Sequence, residues 1–215
     1  MSTGLSGTGL VADDLYLLAH HEVNGKPFLQ PRALGLGLAG GLLAESMLLG
    51  TISIRQEGVV AAGRTPPDEG LARHVLSLLA SERQSHPVRD WLLFMARTAA
   101  EDVARRLEHS GNVTRAGGRG PWRGGRWVPV DADCAFAPLL RVRAALDPTR
   151  PPPAHGAALA GLATACGLRY RLAQYAPPRT GRSLEEAVWH LGPALGELIA
   201  QTQAAVDSAL LSHRV

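Results

Sequence analysis

Aromatic residues make up only 5% of this 215-residue chain, so any core must be built from other side chains. Hydrophobic residues reach 46%, and most are Leu, Ala and Val, enough to bury a sizeable core. Leu and Ala lose little entropy in a helix, which favours a helical fold. Charged residues stop at 19%, too few for a chain disordered throughout. Only two cysteines occur, Cys134 and Cys166, and they are not in a CxxC pair. That excludes a disulfide framework and a zinc site, and reads as free thiols of a reducing compartment. The opening MSTGLSGTGLVADD lacks a basic segment followed by an apolar run, so no secretory signal is expected. The expected location is cytoplasmic, with no metal and no cofactor. Lysine is nearly missing as well: Lys26 is the only one, and Arg carries the basic charge behind a net +3 and a pI near 9.3. A modest positive balance favours anionic partners weakly, so the placement of the arginines matters more. The Ala, Gly, Arg and Pro bias points to a GC-rich bacterial genome.

Signatures of catalysis are missing too. There is no HExxH, no HxxxH and no GxSxG, and the eight histidines do not converge by spacing. His20 and His21 are neighbours and so point to different sides of a helix. Asp13-Asp14 and Glu185-Glu186 read as helix-start charges that complement the macrodipole, not as an acid/base pair.

What is present is helical periodicity. Residues 1–10 are rich in Gly, Ser and Thr, and are expected to be disordered. Val11 to Glu22 reads as a first helix, closed by the Asn24-Gly25 turn. Ala33 to Leu49 is the most apolar helix, with Leu34, Leu38, Leu42 and Leu49 on one face. With Thr51 to Ile54 it approaches the length of a membrane span. Five glycines, Glu45 within the run and the turn at Gly50 favour a buried helix instead. Thr51–Arg55 and Val59–Ala61 predict a short hairpin around Glu57-Gly58. Leu71, Val75, Leu78 and Leu79 mark an amphipathic helix. Pro87 opens a long helix to about Leu107, with Trp91, Phe94, Met95, Val103 and Leu107 on its apolar face. Pro138–Leu146 is a short helix and Ala154–Cys166 a small-residue one. Ser183 and Glu186 form a capping box before a final helix, kinked at Pro193.

Two stretches carry chemistry. Gly35-x-Gly37-x-x-Gly40 matches the dinucleotide fingerprint literally, and Glu57 follows about twenty residues on. That mechanism needs a buried strand leading into the first glycine. Pro31 stands in the would-be strand, so glycines packed against a neighbouring helix are the better reading. A dinucleotide-dependent oxidoreductase remains the competing enzyme hypothesis. The second stretch, residues 112–130, holds Arg115, Arg119, Arg123 and Arg126 with Trp122 and Trp127, many glycines, and no acid before Asp131. It predicts a hairpin with a basic, aromatic tip. Guanidinium groups bind phosphates, and Trp rings settle at membrane interfaces or stack on bases. Nucleic acid is the less favoured partner. The bland alternative is a solvated loop with no partner.

Several segments together resemble the Golgi phosphoprotein 3 family. They are Asp14-Leu-Tyr-Leu-Leu-Ala19, Asn24-Gly25, Gly37-Leu-Ala-Gly-Gly-Leu-Leu-Ala-Glu45 and Leu48-Leu-Gly-Thr-Ile52. The order of the later parts fits as well: a helix at 102–111, a hairpin, Leu139-Leu-Arg-Val-Arg143, and Glu186-Ala-Val-Trp189. The resemblance covers residues 11–210. It implies a mainly helical single domain over 11–213 that lacks enzyme activity and acts as a peripheral membrane adaptor on the inner face. Eukaryotic members bind phosphatidylinositol 4-phosphate and engage cytoplasmic tails of membrane proteins. The family's headgroup positions fall on Gln30, Ala39, Arg97 and Ala100, of which only Arg97 keeps the family's residue. The resemblance therefore implies an anionic membrane partner contacted by Arg97, Gln30 and the hairpin, but no specific phosphoinositide site. It also implies possible self-association through the hairpin.

Overall fold

The computed structural model describes residues 8–55, 58–62, 67–116, 126–175 and 183–212. The first seven residues of the expected N-terminal tail lie outside that set. Helix α1 (Val11–Leu18) is buried at all eight positions. Helix α2 (Pro31–Leu48) starts on Pro31, whose fixed φ suits the first turn. Every residue from Ala33 to Ser46 is buried. A helix apolar all round belongs inside a core, and α2 is the axis on which most of the other helices pack. Strands β1 (Ile52–Arg55) and β2 (Gly58–Ala61) follow as an antiparallel hairpin in register Ile52↔Ala61 to Arg55↔Gly58. This is the hairpin that the sequence predicts.

Helix α3 (Gly70–Ser81) begins under the carboxylate of Glu69, which accepts from the backbone N–H groups of Leu71 and Ala72. The predicted long helix is two helices, α4 (Val88–Met95) and α5 (Ala99–His109). At the break the bonds tighten to Arg97 N–H→Phe94 and Thr98 N–H→Met95, then restart at the Thr98 carbonyl. The buried set Val88, Trp91, Leu92, Met95, Ala99, Val103 and Leu107 runs through the break at near-helical spacing. Periodicity alone therefore cannot reveal it.

Strands β3 (Val113–Ala116) and β4 (Arg126–Pro129) are the arms of the predicted basic hairpin, paired Val113↔Pro129 to Ala116↔Arg126. Helix α6 (Ala132–Ala145) begins earlier than its proline suggests. The Asp131 carboxylate accepts from Cys134 N–H at 2.8 Å and caps the helix, which leaves Pro138 inside it. Helix α7 (Ala154–Ala165) matches expectation, and α8 (Arg169–Tyr175) is an addition. The Ser183–Glu186 capping box is present and opens α9 (Leu184–Trp189). The last helix is not kinked but interrupted. Gly192 turns the chain with φ +79°, and Pro193 starts α10 (Pro193–Leu211) afresh.

The glycines of α2 are explained by packing. A Cβ at Gly35 would stand 2.4 Å from the Ala96 carbonyl oxygen, and one at Gly37 2.3 Å from Cys166 Sγ. At Gly40 it would meet Thr202 Oγ1 at 2.7 Å, and at Gly41 the Ala12 Cα at 2.9 Å. All four lie mid-helix beneath neighbouring elements, so no helix N-terminus is offered to a pyrophosphate. Among the described residues the strands form two separate antiparallel pairs and no parallel sheet. The dinucleotide reading of Gly35, Gly37 and Gly40 is thereby overturned. Among the same residues, no helix is long and apolar enough to cross a membrane.

Candidate functional site

The basic hairpin and the start of α2 meet through the α1–α2 loop. In that loop His21 N–H donates to the Lys26 carbonyl and Gly25 N–H to the His21 carbonyl, closing a tight turn. Gly25 sits at φ +61°, and a Cβ there would lie 2.2 Å from the Trp127 carbonyl oxygen of β4. Both the conformation and the contact require glycine. The turn thus lies against the hairpin arm and presents Val23, 76% exposed, beside it. Phe28 follows, 45% exposed, with the Arg171 guanidinium 4.3 Å above its ring and within 3.5 Å of Glu22. Two residues on, Gln30 is exposed and makes no side-chain cap bond to α2.

Arg97 belongs to the same region. The carbonyl of its neighbour Ala96 packs on Gly35, five residues beyond Gln30, which is roughly 7.5 Å of helix rise. Arg97 is exposed. The other two positions that the resemblance implies are withdrawn from the surface. Ala39 is fully buried, and Ala100 is partly buried against the core.

On the hairpin itself, Arg115 and Trp127 are cross-strand partners, and the guanidinium carbon sits 4.8 Å from the indole centroid. Trp127 is half-buried and packs on the core, so it anchors the arm as well as lining it. Arg126 is exposed. Arg119, Trp122 and Arg123 lie outside the described residues.

This order of elements decides the family. A family model described as Golgi phosphoprotein 3 (GPP34) matches residues 11–205. The chain belongs to the Golgi phosphoprotein 3 family. No curated protein matches it. Membership brings a lipid-binding and adaptor role at the level of the family.

At the opposite ends of α1 and α2 lies a cluster that sequence reading missed. Asp13 and Asp14 do stand in the first turn of α1, but both are 0% exposed and enter ion clusters. The Arg106 guanidinium donates to Asp13 Oδ1 at 2.8 Å and to both oxygens of Glu45 at 2.9 and 3.0 Å, and reaches Glu69 at 3.3 Å. Thr8 donates its hydroxyl to Asp13, and Ala12 N–H donates to Glu45 at 2.6 Å. Asp14 turns the other way, to Arg141 at 2.6 Å and His155 at 2.7 Å. Burial pushes the Glu45 carboxyl up to about 7 despite Arg106 beside it, and raises Asp13 as well. Three carboxylates surround one guanidinium, so the cluster has room for a proton.

The only advance signal was the single acid, Glu45, inside an apolar run. Its partner Arg106 stands 61 positions away. The sulfur chemistry is quieter. Cys134 and Cys166 are free and buried, with thiols pushed up to about 11 and 12. His20 is buried, bonded to the Tyr16 carbonyl and stacked on the Tyr16 ring at 4.0 Å. Among the described residues, no group of His, Cys, Asp or Glu is placed to hold a metal ion.

Proposed function

We propose that this chain is a non-enzymatic peripheral membrane protein that docks on anionic lipid through the end formed by the hairpin arms, the α1–α2 loop and Arg97. The observation that carries the reading is the seating of Gly25 against Trp127. It ties the basic hairpin to the loop bearing exposed Val23 and Phe28. Cations and apolar side chains side by side supply the two signals that reversible anchoring needs. Each Arg near an anionic surface contributes on the order of 1 kcal/mol, and an inserted Phe adds apolar burial. An adaptor role toward tails of membrane proteins, the family's other activity, fits a protein held at that surface.

Headgroup choice is broad in this reading, because Ala39 is buried and Gln30 and Ala100 bring no charge. Vesicle co-sedimentation tests both parts. The protein is expected to pellet with phosphatidylserine vesicles, to stay in solution with phosphatidylcholine alone, and to release as salt rises. Phosphatidylinositol 4-phosphate at matched surface charge is expected to add nothing. Phe28→Ser is expected to weaken binding with little change in the salt slope. Equal binding to neutral vesicles, or none to anionic ones, overturns the proposal.

A further inference from the structure

The buried cluster around Arg106 is uneven in charge. Three carboxylates, Asp13, Glu45 and Glu69, meet one guanidinium. With all four ionised, two negative charges are left where water is largely excluded. The N-terminus of α1 offsets part of this, because Ala12 N–H donates to Glu45 at 2.6 Å. The other nearby charges are engaged or turned outward. Asp14 of α1 goes to Arg141 of α6 and His155 of α7. On α5, Arg105 pairs with Glu101, and on α3, Arg73 donates to the carbonyls of Pro67 and Asp68. Arg55 of β1, His74 of α3 and His109 of α5 are exposed. Asp102, one turn before Arg106 on α5, adds negative charge rather than removing it. Among the described residues, Glu45 bonds to Arg106 and to Ala12 N–H, and to no side chain of α4, α7 or α10. A proton on one buried carboxylate relieves the excess. Burial holds the Glu45 carboxyl up at about 7 and raises Asp13 as well, so that proton is exchanged near neutral pH.

The three contacts of Arg106 are unequal. It meets Asp13 at 2.6 Å and Glu45 at 2.9 Å, but Glu69 at 3.3 Å. Glu69 also keeps 32% of its side chain exposed. It can turn to water, whereas Asp13 and Glu45 cannot leave without opening the core. Glu69 is at the same time the cap of α3. Its two oxygens accept from Leu71 N–H at 2.9 Å and Ala72 N–H at 2.6 Å. A shift of this carboxylate therefore carries the first turn of α3 with it.

We propose that the cluster is a proton-operated latch on α3: with one proton between Asp13 and Glu45, Arg106 also holds Glu69, and loss of that proton releases it. Once both buried carboxylates are ionised they take the guanidinium, repel Glu69 and free the first turn. The latch is closed at mildly acidic pH and opens as pH rises through neutrality. It uses none of the residues of the lipid-binding end and does not rest on that reading.

Hydrogen–deuterium exchange at the Leu71, Ala72 and Arg73 amides, expressed as protection factors, reads the latch. From pH 6 to pH 8 their protection is expected to fall roughly tenfold in the wild type, the effect of about one pKa unit of coupling. Low urea is expected to leave this opening unchanged, because it is local, while amides of α2 follow the urea slope of global unfolding. In Glu45→Gln, protection at α3 is expected to stay at its pH 6 level. Asp13→Asn removes a charge from the other side of Arg106 and is expected to do the same. The infrared band of a protonated carboxyl is expected in the wild type at pH 6 and lost by pH 8, a reading that needs no variant. Protection at α3 that ignores pH, an equal pH response in both variants, a urea-sensitive opening, or no such band overturns the latch.

Discussion

Arg106 and Arg115 lie nine residues apart and have opposite fates. Arg106 keeps 8% of its side chain exposed and serves Asp13, Glu45 and Glu69 from three other parts of the chain. Arg115 is exposed on β3, held only over the Trp127 ring. The same guanidinium is structural where carboxylates have been withdrawn from water around it. It is available to a partner where the nearest group is an aromatic face. Surface position on a strand or helix does not decide the difference. What decides it is whether the rest of the fold brings acids to it.

The largest effect expected is on stability. Arg106→Met leaves Asp13 and Glu45 buried without their cation and is expected to cost about 3–5 kcal/mol. Arg115→Ala is expected to change stability by no more than about 1 kcal/mol. Urea melts of the two variants check this, and similar losses in both would erase the contrast. Adding Glu45→Gln to Arg106→Met is expected to recover part of the loss, because the stranded charge is then removed.

Next in size is a pH dependence confined to the buried side. The Glu45 carboxyl is raised from its ordinary value to about 7, so the folded protein holds a proton there that the unfolded chain releases. Stability from this group is full below the ordinary glutamate range and is lost as pH rises toward and through 7. At about 1.4 kcal/mol per unit, the loss is roughly 3–4 kcal/mol. His20 runs the other way. Burial lowers its pKa, so its contribution is present above the ordinary histidine value and is lost as pH falls through its lowered one. The useful quantity is therefore the difference between wild type and Glu45→Gln, measured by urea melts from pH 5 to 8. That difference is expected to move in favour of the variant as pH rises. A flat difference would mean that Arg106 keeps Glu45 ionised throughout.

The smallest effect belongs to the exposed side. Arg115→Ala with Arg126→Ala is expected to weaken binding to phosphatidylserine vesicles about thirtyfold at low salt, from about 1 kcal/mol per cation. The gap should close as salt rises. Co-sedimentation across a salt series measures it, and an unchanged affinity would place the contact elsewhere on the surface.

Much of the fold was legible in one dimension. The apolar run of α2, the Ser183 box, the hairpin around Gly58 and the hairpin arms at 113–129 each announce themselves within a few residues. The breaks at Ala96–Thr98 and at Gly192 were less visible, because a buried face can continue across an interruption in hydrogen bonding. Of the candidate site, the hairpin arginines and Arg97 could be named from sequence, but Val23, Phe28 and Arg171 could not. Phe28 and Arg171 are 143 positions apart, and only packing stacks one on the other.

The sequence by itself determined where this chain is helical, which helix is buried on all sides, and that one hairpin is basic, because those properties follow from periodicity and local composition. Only the tertiary structure decided what the charges do. Asp13 and Asp14, adjacent in the chain, are drawn into two different ion clusters because α5 and α6 approach α1 from different sides. Electrostatic energy depends on distance and on the exclusion of water, and both are set by folding rather than by order along the chain.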